Sequence, residues 1–155
     1  MRIVLDTNIL VRAHTNARGP ARDLLLRIVA SPEHTLLLSP FLLQELERVF
    51  QYERIRIATR LTEDEINEYL LYLRSRSVTE MVFPGEAPRV VPNDNEDDPV
   101  VHAAVFGGAQ VLCTLNRHFY DAAVVDYCKA RGVTIVRDIE LLRLLRALEA
   151  HPTPN

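Results

Sequence analysis

Acidic side chains gather in one short stretch, Asn93–Pro99 (NDNEDDP), where four carboxylates and two amides fall within seven residues. Taken alone, such a run is a solvated loop, the usual fate of clustered charge. Distant acids change that reading. Asp6 directly follows the apolar run Arg2–Leu5, Glu45 lies one residue off an apolar stripe formed by Leu42, Leu46 and Val49, and Asp98 opens the segment before AQVLCTLN. Asn116 closes that last run and is a fourth candidate. Converging carboxylates repel and desolvate one another, so a pocket built from them is stable only if some protonate or a cation binds. Oxygen donors with no His or Cys cluster at zinc-like spacing favour Mg2+ or Mn2+. A divalent ion held this way lowers the pKa of a bound water and offsets charge on a phosphoryl group. The chemistry implied is phosphate-ester cleavage.

Such acids act together only if the chain brings them to one place. The run Arg2–Leu5 has the pattern of a buried strand that ends in the polar turn DTN. A helix is expected over Pro20–Ala30, and HTLLLSP repeats the strand signal. Ser39 and Pro40 then supply an N-cap and first residue for one helix, FLLQELERVFQYER. TEDE at Thr62–Glu65 is a capping box for a helix running to about Arg74. VTEMVF reads as a short strand, and PGEAPRVVP as a Pro-rich connection into the acidic stretch. Asp97 or Asp98 caps the helix PVVHAAVFGG, closed by Gly107 and Gly108. A strand in AQVLCTLN, a helix in FYDAAVVDYCKARG, the strand VTIV and a last helix capped by Asp138 complete the chain. Strands alternating with helices imply right-handed crossovers and a parallel sheet covered on both faces. Such a fold places its chemistry beyond the carboxyl ends of the strands.

A chain of 155 residues suits one domain, and 48% apolar with 25% charged residues is ordinary for a globular protein. No run approaches the ~20 apolar residues of a membrane span. The N-terminus MRIVLDTN enters a strand-like run with no h-region, so a cytoplasmic location is the expectation. Cys113 and Cys128 read as small core residues. A net charge of −3 leaves no basic footprint, yet metal-binding acids lower that sum while a separate face can still hold a phosphate backbone.

RIVLDTNIL, SPFLLQELERV and DDPVVHAAVFGGAQVLCTLNRHF together resemble the PIN domain, specifically the bacterial VapC-like toxin components of toxin-antitoxin pairs. The resemblance covers essentially the whole chain. It implies a three-layer α/β/α fold with a central, mainly parallel sheet and residues 1–150 forming a single PIN-like domain, while the tail HPTPN, 151–155, reads by itself as disordered. It also implies a Mg2+- or Mn2+-dependent endoribonuclease acting on RNA, a cognate antitoxin as partner, a homodimer and no membrane association. Residue by residue, the family's first acid falls on Asp6, the second on Glu45 and the third on Asp98. The family's TGD reads TLN here, with Asn116 where the fourth acid is usual. Asparagine offers a carbonyl oxygen to a metal but no charge, which weakens the site or makes it lean on one ion. Thr7, Asn8 and Thr114 match polar positions that steady the acids, and Asp97 is expected to cap or support the following helix.

Blander readings stand beside these. Asp94 is expected as a loop acid, and His102 as an ordinary helix histidine. Arg117 and His118 either meet RNA phosphate or face solvent. Arg48, Arg54, Arg56 and Arg60, with Tyr52 among them, form either a solvated helix end or an RNA or antitoxin contact. Two rival functions remain: a nuclease-weak PIN module that binds RNA or protein, motivated by Asn116, and a haloacid-dehalogenase-like phosphatase. The phosphatase wants a second acid two residues after the first, where this chain has Asn8.

Overall fold

The structure, a computed structural model, describes residues 1–15, 18–75, 79–92 and 94–150. The expected tail, 151–155, and Asn93 of the acidic stretch lie outside the described residues. Five strands, β1 (Arg2–Leu5), β2 (Thr35–Leu38), β3 (Thr79–Met81), β4 (Val111–Cys113) and β5 (Thr134–Val136), form one sheet in the order β3-β2-β1-β4-β5. Every neighbouring pair is parallel. The apolar runs in β1, β2 and β4 have the reason parallel sheets demand: helices cover both faces, so inner strands are apolar throughout.

Among the described residues the strands are joined by α1 (Thr7–Thr15), α2 (Pro20–Ala30), α3 (Pro40–Phe50), α4 (Glu53–Thr59), α5 (Glu63–Arg74), α6 (Asp98–Phe106) and α7 (Ala122–Lys129), and α8 (Asp138–Ala150) follows the last strand. α6 packs on β1, β2 and β4, while α1 packs on α2, α2 on α8, and α3 on α1, α5 and α6. Ile3, Leu5, Leu36, Leu38, Leu46, Val101 and Phe119 belong to one continuous buried core. Truncating one of these leucines to Ala costs about 2–5 kcal/mol, because the cavity left behind relaxes only in part.

Several local signals are realised as written. Ser39 Oγ accepts from Leu42 N at 3.3 Å. Thr62 and Glu65 form the reciprocal capping box that opens α5. Gly107 is required by space: a Cβ there would lie 2.8 Å from the Ala103 carbonyl oxygen and 2.9 Å from Leu37 and Val82 side-chain carbons. Both cysteines are buried and free.

Three elements differ from expectation. The DTN turn is the start of a helix, α1, rather than a connection; Ile9 and Leu10 give it a buried face, and the polar start hides the period. The helix expected over FLLQELERVFQYER breaks after Phe50, and α4 resumes at Glu53 with Tyr52 extended between them. In α8, where the spacing of Leu141, Leu144, Leu145 and Leu148 reads as core packing, Leu141 and Leu145 are buried with Leu142, but Leu144 and Leu148 face outward, each 43% exposed.

Candidate metal centre

Chain order reverses at β1: β2 and β3 extend the sheet to one side of it, and β4 and β5 to the other. Such a switch point leaves a crevice at the carboxyl ends of the strands, where diverging connections part. The pairing of Leu5 with Cys113 sets Asp6 beside Thr114, and Asp6 N donates to Cys113 O at 3.0 Å. A cleft of about 320 Å³ opens there, lined by Asp6, Thr7, Asn8, Arg12, Glu45, Arg54, Asp97 and Asn116 with Val11, Val49 and Ile55.

Asp6 is the buried centre of this cleft. Its Oδ1 accepts from Thr7 N at 2.7 Å, and its Oδ2 accepts from Thr114 Oγ1 at 2.6 Å and from Asn8 Nδ2. Burial nevertheless raises its carboxyl to about 6; the Thr114 and Thr7 hydrogen bonds pull the other way, and Glu45 and Asp97 add repulsion. Thr114 also accepts from Asn8 Nδ2 at 3.2 Å and from Asn116 N at 3.0 Å, so one hydroxyl ties the ends of β1 and β4 together. Glu45, carried in by α3, is held by Thr7, whose Oγ1 donates to Oε2 at 2.6 Å. Thr7, Asn8 and Thr114 thus each touch an acid of the cleft.

The third acid in the cleft is Asp97. Of the two adjacent aspartates, Asp97 and not Asp98 is among the residues that line this cleft. Asp98, only 7% exposed, turns its Oδ1 to the backbone of the Pro-rich connection, accepting from Val90 N at 2.9 Å and from Val91 N at 2.7 Å. Two buried amide donors make a carboxylate there structural, since each would otherwise go unpaired. Asp97 precedes α6 and makes no side-chain cap bond to it. Its Oδ2 instead accepts from Asn116 Nδ2 at 2.8 Å and meets His118 Nδ1 at 3.3 Å. Burial raises the Asp97 carboxyl and Asp94 adds to this, while His118 and Asn116 lower it.

Asn116 does stand at the cleft, with its Oδ1 accepting from His118 N at 3.1 Å. His118 turns toward acid: Asp94, Asp97 and His118 offer ligand atoms that all lie within 4.8 Å of one another, a second grouping able to hold an ion. Asp94 was expected as a loop acid, and it also caps the 3-10 turn Asn95–Asp97 through Glu96 N. Arg54 lines the cleft, whereas Arg56 pairs with Glu63 at 3.1 Å and Arg117 is exposed. His102 Nε2 bonds the Pro88 carbonyl at 2.9 Å, outside the acidic cleft. Sequence reasoning missed Arg12; Asn8 and Arg12 at i and i+4 share a helix face, a signal lost with α1 itself.

The donor set fits a hard divalent cation. Three carboxylates share a small cleft, one of them buried deeply enough to hold its proton to about 6, and neutral Thr and Asn groups orient them. A cation at that point relieves both the repulsion and the desolvation.

A parallel α/β sheet with a carboxylate-lined cleft at its switch point is an architecture able to hold a divalent cation. A family model described as PIN domain matches residues 2–118, and the chain belongs to the PIN domain family. PIN domains are generally metal-dependent nucleases. No curated protein and no solved structure matches the chain. No helix among the described residues is long and apolar enough to cross a membrane.

Proposed function

We propose that this protein is a Mg2+- or Mn2+-dependent endoribonuclease, the VapC-like toxin component of a toxin-antitoxin pair, acting on RNA in the cytoplasm, restrained by a cognate antitoxin and forming a homodimer. The observation that carries the nuclease reading is the convergence of Asp6, Glu45 and Asp97 on one cleft at the ends of β1 and β4. Asp6, Glu45 and Asp97 would hold the ion, with Asn116 at the edge of the site; Asp98 is reassigned to holding the Val90–Val91 connection. When bound, the ion supplies an activated water and neutralises charge on the phosphate. Thr7 orients Glu45, while Asn8 and Thr114 both donate to Asp6 Oδ2 and hold that carboxylate in place.

The test is cleavage of single-stranded RNA with Mg2+ or Mn2+ and with EDTA. Metal-dependent cutting that Asp6→Asn abolishes supports the reading; cutting unchanged by Asp6→Asn rejects it. Induced expression that halts growth only with Asp6 intact supports the toxin role.

One observation favours a second reading, a PIN module that binds RNA or protein with weak cleavage. The amide of Asn116 already engages Asp97, so the fourth position adds no negative charge to attract metal. A phosphatase using Asp6 as nucleophile gains no support, because Asn8 supplies an amide donor to Asp6 where that chemistry wants an acid.

A further inference from the structure

A cation stands on the wall of the acidic cleft, and none of the cleft's acids claims it. Arg12 lines the cleft together with Asp6, Glu45 and Asp97. Its ion pair is with none of these but with Asp138, Nη1 to Oδ2 at 3.2 Å. Asp138 opens α8, just past the end of β5, and is 3% exposed. Its Oδ1 accepts from Ile139 N at 2.9 Å, but Oδ2 has no hydrogen-bond donor, so the Arg12 charge is what balances it.

This arrangement has a physical consequence. A guanidinium among three carboxylates would ordinarily fold onto them and compete with a metal ion for the same oxygens. Asp138 offers Arg12 an anchor outside the cleft lining: its buried Oδ2 has no hydrogen-bond donor, whereas Asp6, Glu45 and Asp97 already accept from Thr7, Asn8, Thr114 and Asn116. Arg12 is thereby held at the rim with its side chain still 45% exposed. The guanidinium presents its N–H donors in the fork that suits a phosphate.

We propose that Arg12 binds a backbone phosphate of the RNA strand entering the cleft, and that Asp138 is its positioning residue. The inference rests on the reading of the cleft as a nuclease site and names how that site grips its substrate. Together with Arg54 on the same lining, Arg12 gives an acidic cleft an attraction for phosphate, and Asp138 keeps the Arg12 charge from cancelling the site's affinity for metal.

The test is binding of a fluorescent single-stranded RNA to the full chain across a salt series. Ca2+ replaces Mg2+, and the intactness of the strand is checked on a gel. Loss of one phosphate contact lowers the slope of log affinity against log salt by about 0.7 for a single strand. Arg12→Ala should show that drop with roughly tenfold weaker binding, about 1.4 kcal/mol. Arg12→Lys should keep the slope and lose part of the affinity, being a point charge rather than a fork. Because Arg12→Ala strands Asp138, the double variant Arg12→Ala/Asp138→Asn separates contact from folding: it should regain thermal stability and still bind with the lower slope. Wild-type slope and affinity in Arg12→Ala, or recovery of both in the double variant, would overturn the proposal. A wild type that binds RNA with the Arg12 dependence but never cuts it rejects the nuclease reading and leaves this contact standing. One that cuts RNA with no Arg12 dependence does the reverse. Absence of RNA binding by the wild type rejects both.

Discussion

Asn116 Nδ2 donates to Asp97 Oδ2 at 2.8 Å, joining the end of β4 to the residue before α6. An amide at this point grips the third acid of the cleft without adding charge. An aspartate in its place would set two carboxylates against each other unless a cation lay between them.

Asn116→Asp is therefore expected to lower the melting temperature without metal and to gain more from Mn2+ than the wild type does. Ligands that bind only the native state stabilise it by mass action, so the melting shift reports the site directly. RNA cleavage by the variant should rise if charge limits the native site. Equal Mn2+ shifts in the two proteins would show that the fourth position is no part of the metal site.

Asp97 and Asp98 should fail in opposite ways. Asp98→Ala leaves the Val90 and Val91 amides without their acceptor, and with hydrogen bonds to a charged group contributing ~1.5–3 kcal/mol each, a loss on the order of 3 kcal/mol is expected in urea unfolding. Asp97→Asn should unfold nearly as the wild type does while losing its Mn2+ shift. A stable Asp98→Ala protein that has lost metal binding would restore Asp98 to the site.

The raised carboxyl of Asp6 sets a pH dependence. Between the unfolded value of 3.8 and the folded value of about 6, the native state keeps a proton that the unfolded chain has lost. Metal-free stability from this group is complete below the lower value, declines as pH rises through the window and levels off above about 6. Two pKa units correspond to a change on the order of 3 kcal/mol. Saturating Mg2+ or Mn2+ binds the ionised form and should flatten or reverse the trend. Unfolding at pH 5 and 7.5, with and without metal, checks this, and a metal-free protein more stable at pH 7.5 would contradict it.

Thr114→Val removes a donor to Asp6 Oδ2 and an acceptor for Asn8 and Asn116 while keeping the side chain's shape. The expected cost is about 1–3 kcal/mol. Its hydrogen bond lowers the Asp6 carboxyl, so its loss should move the acidic limb of the pH–rate profile upward. An unmoved limb would show that Thr114 acts on packing alone.

Much of the fold was legible because its signals are local. Buried parallel strands demand apolar runs, and Ser39 and the Thr62–Glu65 box cap helices through contacts only three residues away. The same logic exposed Asp6 and Glu45, since acids after or beside strand-like runs have one natural destination in an alternating α/β chain. The helix α1 stayed hidden because its first turn, Thr7 and Asn8, is spent on holding acids rather than on showing an apolar period.

What the amino-acid order alone determined about this protein is the alternation of strands and helices apart from α1 and the break between α3 and α4, the family resemblance, and two of the three acids that line the cleft. Which of two adjacent aspartates faces the cleft was decided by tertiary structure, because the choice depends on where Val90 and Val91 present their amides. A Pro-rich connection has no period from which that position can be read. The Arg12–Asp138 pair is likewise a product of the folded sheet, which brings together the helix after β1 and the helix after β5. A charge pair remote along the chain acquires its strength only when folding buries one partner and removes water from between them.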